Sequence, residues 1–314
     1  MESRGQSRTE LALLTCQSLP VPLCAPSSPV DHCIKDCKHH YRVLHTPKDL
    51  SLLSRLPRHL KALTADIPFP GLQGWKSSLI MSGGSRNVDD VKTFLQCWDG
   101  FDSQQTTNFY GRWAQTYEQD SEMINYRAPQ LVVDFLNANF PGSREDARVL
   151  DVACGSGLVA KLMSELGFRH FVGVDGSEGM LELAAKTGLY QYLSLALLGT
   201  QPLPAQTGVF DVVLIVGALR HEHVPVSVIR ELWQATKPGG YVCMSRVDPK
   251  SEPGDKYKTS MERELQLMEE EALWTRVATG EMNNYMMDIS KIYKEKENEQ
   301  YLAGTMYLYR KSLN

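Results

Sequence analysis

The chain has 314 residues, 42% of them hydrophobic and 22% charged, with a formal net charge of −4 and a pI near 6.1. That is enough apolar content to bury a sizeable core, and the acidic balance argues against nucleic acid or an anionic membrane as main partner. No apolar stretch approaches the roughly 20 residues of a membrane span, and seven cysteines, an odd count with four in the first forty residues and three scattered, fit a reducing compartment, cytosol or nucleus, better than a disulfide framework.

Residues 1–80 differ from the rest. They hold half of the sixteen prolines and ten Lys/Arg against six Asp/Glu, leaving residues 81–314 at −8. They lack a sustained helical or strand period, so we read them as a poorly ordered N-terminal extension. "LALLTCQSLPVPLCA" faintly resembles a signal h-region but is broken by Gln17, Pro20 and Pro22. "DHCIKDCKHH" matches no closed zinc spacing, so no metal is expected. Met81 opens an acidic, helical stretch and is a candidate alternative start; we read 81–104 as a helical linker.

From residue 105 the sequence has the rhythm of a folded domain, 105–314. "NFYGRWAQTYEQD" is aromatic and amphipathic, and "APQLVVDFLNANF" places Leu131, Val132, Phe135 and Leu136 on one helical face. Short apolar runs follow, "VLDVA", "FVGVD", "YLSLAL", "FDVVLIV" and "GYVCMSRV", with helices near 158–166, 177–186 and 225–236 between them. Continuous Val/Leu/Ile runs alternating with helices imply an α/β fold with a doubly wound, mostly parallel sheet. A long charged helix is expected near 256–276, with Leu265, Met268 and Ala272 on its apolar side. "MMDISKIYKEKENEQYLAGTMYLYRKS" reads as two antiparallel strands joined by a polar turn.

The chemistry concentrates at "VLDVACGSG". A strand that ends in Gly155-Ser156-Gly157 and opens a helix presents backbone N–H groups at the carboxyl edge of the sheet, where open α/β sheets bind ligands. Asp175 closes the next strand eighteen residues after Gly157. A carboxylate there can accept hydrogen bonds from both ribose hydroxyls, which points to an adenosine-containing cofactor. "GSGLVA" also satisfies G-x-G-x-x-A, so a nicotinamide or flavin dinucleotide is the competing reading. Asp151 argues against it, because its carboxylate would stand where a pyrophosphate must lie, whereas a cationic ligand would suit it. So do the preceding aromatic helix and the closing hairpin.

"VLDVACGSG", "GVDGSEGML", "FDVVLIVGAL" and "KPGG", in that order and spacing, resemble the motifs of class I S-adenosylmethionine-dependent methyltransferases, over roughly residues 105–312. The resemblance implies a Rossmann-like seven-stranded sheet and S-adenosyl-L-methionine as cofactor. It implies that Asp151 and the backbone at Ala153, Gly155 and Gly157 hold the methionine end. Asp175 would grip the ribose, Gly176 would keep the adjoining turn open, and Met180 would pack on the adenine. Tyr117, with Tyr110 and Trp113, would form a lid, and Val216 and Gly217 would lie under the reacting centre. The sequence departs from the pattern at Gly199, where relatives carry an acid toward the adenine amino group, and at Gly111, where they carry Asp.

Methyl transfer is an in-line displacement that needs positioning more than a fixed catalytic residue. The loop after the fourth strand, "VGALRHEHVPV", lacks the Asn/Asp-Pro-Pro-aromatic and Pro-Cys motifs of nucleic-acid methylators. His221 and His223 are candidate general bases, set against the plain alternative of surface histidines in an exposed loop. A small molecule or a protein side chain is the expected acceptor, with nucleic acid disfavoured. Two other functions stay open: a cofactor-binding module without turnover, and an NAD(P)-dependent oxidoreductase.

Overall fold

Apolar strand runs need cover on both faces, and the computed structural model shows how the chain provides it. The structure describes residues 86–96, 101–291 and 301–313. The expected extension over 1–80, the start at Met81 and the Cys/His cluster fall outside the described residues. Among the described residues four helices come first: α1 (Val88–Leu95), α2 (Ser103–Trp113), α3 (Tyr117–Met123) and α4 (Ala128–Asn139). Alternation follows through β1 (Arg148–Val152), α5 (Leu158–Glu165), β2 (His170–Asp175), α6 (Glu178–Lys186), β3 (Tyr190–Leu195), β4 (Phe210–Val216), α7 (Val228–Ala235) and β5 (Thr236–Val247). The chain closes with α8 (Glu252–Glu270), β6 (Trp274–Met287) and β7 (Tyr301–Lys311).

These strands form one seven-stranded sheet in the order β3-β2-β1-β4-β5-β7-β6. The pairs from β3 to β5 are parallel; β5–β7 and β7–β6 are antiparallel. The two-residue period sorts the central side chains. Leu150, Val213 and Ile215 face Leu232 of α7 and Leu265 of α8, whereas Val149, Val212 and Leu214 face Val132, Leu136 and Met163 of α4 and α5. Because β1 pairs with both β2 and β4, the sheet's switch point lies at the carboxyl ends of β1 and β4, where such folds open a crevice.

Four boundaries differ most from the sequence reading, each for a tertiary reason. The third strand is Tyr190–Leu195 rather than 192–197 and is not buried on both faces; it is the sheet's edge, and Tyr192 is 73% exposed. The fifth strand begins at Thr236, because the ladder slips between Phe210 and Val212 and absorbs the Gly239–Gly240 turn. The long helix stops at Glu270, not 276. Ala272, expected on its apolar side, is exposed at φ +55°, and Met261 joins Leu265 and Met268 in the core instead. Trp274 then opens β6, buried and stacked 4.4 Å from Tyr309. The closing hairpin therefore pairs 274–287 with 301–311. The helical spacing of Leu273, Trp274 and Val277 is incidental, since β6 is an edge strand that needs little apolar alternation.

Candidate functional site

Beyond β1 the backbone takes three left-handed steps within five residues, at Ala153 (φ +55°), Gly155 (φ +55°) and Gly157 (φ +90°). A side chain at Gly155 would meet no atom within 4 Å, so the missing Cβ leaves open space above the turn. Gly157 is confined: its Cβ would lie 3.2 Å from the Tyr190 ring. The turn is tied to β2 through Asp175, whose carboxylate accepts the Gly155 N–H and the Ser177 N–H, both at 2.8 Å. Ser177 in turn caps α6, accepting the Met180 N–H at 3.3 Å. The two motif segments thus brace each other.

A cavity of about 700 Å³, its open mouth included, rises from this turn. Ala153, Gly155, Asp175, Gly176 and Met180 line one side, and Val216 and Gly217 come from the β4 edge. Tyr110 and Tyr117 close it from the helical layer, with Thr106 and Thr107 of α2 beside them. The structure therefore brings most of the sequence-selected residues onto one wall. Among the described lining residues the formal charge is the Asp175 carboxylate, with no Lys or Arg. Burial, helped by Arg220, holds the His223 imidazole well below its usual range and therefore neutral near pH 7. An acidic, hydroxyl-rich cavity over an open glycine turn suits an adenosine-bearing cation, and among its described lining residues it has no Lys or Arg to balance a pyrophosphate.

Four of the selected residues stand elsewhere. Gly157 lies behind the turn, packed on Tyr190 as its helix's cap. Gly199 is beside the cavity, and its absent side chain admits Pro225, which a Cβ would meet at 2.1 Å. Leu197 and Leu198 take its place on the wall. His221 is exposed next to Glu222, so of the two histidines only His223 faces the cavity. Asp151 is buried beneath the turn and accepts a 2.7 Å hydrogen bond from the Tyr190 hydroxyl.

Burial pushes the Asp151 carboxyl from an ordinary 3.8 up to about 7, with the Tyr190 hydrogen bond opposing the rise. Between those values the folded protein holds a proton that the unfolded chain has lost. Stability from this group is therefore full below about pH 4, declines as pH rises through the window, and is gone above about 7. We expect Asp151→Asn to flatten this part of the profile. Urea midpoints between pH 5 and 8 that fall in parallel for wild type and variant would sink the assignment.

The helical layer is held by aromatic packing. Phe94 of α1 stacks on Phe109 at 4.6 Å, and Trp113 stands edge-on to Tyr117 at 4.9 Å. At Gly179 a Cβ would lie 2.9 Å from the Gly111 carbonyl, so these glycines let α2 and α6 approach closely. Trp113 belongs to the interior of the layer and reaches a second cleft rather than the cavity. That cleft holds about 1200 Å³ with its mouth and shares Tyr110, Tyr117, Tyr126 and Gly217 with the first. Tyr126 and its partner Tyr285 escape sequence reasoning. Two backbone bonds join their segments, Arg127 N–H to the Tyr285 carbonyl (2.9 Å) and Met287 N–H to the Ile124 carbonyl (2.8 Å), with no local signal in either stretch.

Comparison with known proteins agrees with this geometry. A family model described as a methyltransferase domain matches residues 150–244. The human methyltransferase-like protein 27 is 49% identical over 193 residues, covering 61% of this chain and 77% of that protein. The ubiquinone biosynthesis O-methyltransferase of Bordetella avium (strain 197N) is 34% identical over 119 residues, 35% of this chain and 47% of its own length. Among solved structures, the [4+2]-cyclase SpnF superposes with a TM-score of 0.50 at 18% identity, over 68% of this chain and 97% of that one. That likeness speaks for the fold alone, and the cyclase's name shows why fold and reaction must be argued separately.

Proposed function

Because the chain belongs to the methyltransferase family, we propose that it transfers a methyl group from S-adenosylmethionine to a small-molecule or protein side-chain acceptor. The single observation that carries the cofactor assignment is the cavity wall on which Asp175 stands without a cation, above the open Gly155 turn. On this reading Asp175 accepts from the ribose hydroxyls, Met180 and Leu198 pack against the adenine, and the Ala153–Gly155 backbone borders the methionine end. Asp151 contributes negative charge from beneath, most strongly when ionised. The cofactor, when bound, supplies an activated methyl carbon. The chain's own task is then to orient an acceptor at Gly217 and to exclude water, with Tyr117 and Tyr110 forming the cover.

We place the methyltransferase domain at 105–314, led in by 81–104. The wider set of motifs, including "FYGRWAQTYEQD" and "YRAPQLVVDFL", resembles that of the methyltransferase-like protein of the Williams-Beuren syndrome chromosomal region, and we read the chain as kin to it. His223 is better suited to shaping the cavity than to acting as general base, since burial lowers its basicity. Among the described residues no helix is long and apolar enough to cross a membrane.

Isothermal titration of the full chain with S-adenosylmethionine tests the reading. We expect micromolar-range binding, about −8 kcal/mol at one micromolar. Silence toward S-adenosylmethionine together with saturable NADPH fluorescence would return the dinucleotide reading to first place.

A further inference from the structure

The second cleft meets the cofactor cavity at the carboxyl end of β4, and two tyrosines mark the junction. A Cβ at Gly217 would lie 2.2 Å from the Tyr126 hydroxyl and 2.9 Å from the Tyr285 hydroxyl, so both oxygens converge on that glycine. The rings are 5.5 Å apart at 62°. Each hydroxyl carries one proton, so the pair can donate to a third oxygen held at Gly217. Away from the junction the cleft carries an apolar strip of Ile124, Met286, Ile289 and Leu302, with Arg220, Glu222 and Asp288 also on its wall.

We propose that this second cleft is the acceptor site, and that it selects a small molecule with an apolar body presenting an ionisable oxygen, of the phenol or enol class, to the Tyr126–Tyr285 pair. The inference rests on the methyltransferase reading and deepens it. Of the charged groups on the cleft wall, Asp288 is engaged by Lys250 and by Ser290, and Glu222 stands beside His221. Arg220 lines the cleft beside the tyrosines, and its positive charge there opposes that of Asp175 across Tyr110, which gives an entering anion a cationic neighbour. Burial keeps the tyrosines protonated, as donors and not bases. An oxygen that enters ionised needs no base. The O–C bond forms as the donor's S–C bond breaks, both electrons of that bond stay on sulfur, and the opposite charges cancel without a proton moving.

The test uses the full chain saturated with S-adenosylhomocysteine, whose binding is first measured by itself, and 4-nitrophenol as probe, because its ionised form absorbs visible light. We expect saturable binding at fixed pH with the ionised fraction of the bound probe raised above that in solution. Tyr285→Phe should lower the bound ionised-to-neutral ratio about threefold or more, the worth of one hydrogen bond, while leaving S-adenosylhomocysteine affinity unchanged. Arg220→Gln, an exposed position, should act in the same direction and serves if the Phe variant misfolds. The isosteric 4-nitroaniline should bind about tenfold more weakly. Equal binding of the aniline, a bound spectrum indifferent to both substitutions, or no probe binding by cofactor-loaded protein would each overturn the acceptor assignment. Failure to bind S-adenosylhomocysteine would instead overturn the cofactor reading, and the acceptor assignment with it.

Discussion

Replacing Asp175 with Asn is expected to weaken S-adenosylmethionine binding by about 3 kcal/mol, a factor of roughly 150. Two losses combine. The carboxylate's oxygens each accept a backbone N–H, from Gly155 and from Ser177, at 2.8 Å. An amide keeps one acceptor and turns its NH2 toward the other N–H, so one anchor of the glycine turn becomes a repulsion. The lost charge also removes the acceptor proposed for the ribose hydroxyls, and hydrogen bonds to charged groups are worth more than neutral ones. Titration calorimetry on both proteins, with far-UV circular dichroism to show the variant folded, decides the matter. A folded variant that binds within threefold of wild type would remove Asp175 from the site.

The second large effect concerns stability. Asp120 is fully buried, and one carboxylate oxygen takes the Trp113 indole N–H at 2.8 Å, the Thr116 hydroxyl at 3.0 Å and the Arg86 guanidinium at 2.8 Å. It joins the segment before α1, the end of α2 and the body of α3. Asp120→Ala strands an indole N–H and a guanidinium that is mostly buried. Breaking such a pair by deleting one partner costs about 3–5 kcal/mol, a large share of the ~5–15 kcal/mol that holds a domain together. We expect the urea midpoint to drop accordingly and cofactor affinity to fall as well, because Tyr110 and Tyr117 ride on the same layer. Asp120→Asn, which keeps an acceptor for the indole, should lose less. An Ala variant within 1 kcal/mol of wild type would show that the layer is held by aromatic packing alone.

That the glycine turn and the strand-two acid stand together was legible because the determinants of each turn are largely local. Gly155, Asp175 and Gly176 sit in two short strand-to-helix turns, with Met180 in the first turn of the helix that follows, and the motif spacing brings both segments to the cavity, where Asp175 ties them together. Asp151 and Gly157 belong to the same motif, yet their placement depends on Tyr190, a residue of the edge strand whose ring fills the space behind the turn. Gly199 was selected for what it lacks; its role in the fold is to admit Pro225 from another loop. In the helical layer, the spacing of Tyr110, Trp113 and Tyr117 gave a stripe that reads equally as a lid led by Tyr117 or as plain packing. Trp113 turned inward because its indole N–H found Asp120.

The amino-acid sequence announces the alternation of buried strands and helices, the glycine turn and the acid at the tip of the second strand, because residue type and spacing along the chain mark them even though Asp175 meets Gly155 only once β1 and β2 pair. Only the tertiary structure decided where the last helix ends, how far β6 runs and which groups meet at Gly217. Tyr126 and Tyr285 reach the same point because β6 pairs along β7 and two backbone hydrogen bonds draw 124–127 against its end. No periodicity encodes such a meeting, because the energy that enforces it lies in sheet register and backbone pairing between segments about 160 residues apart.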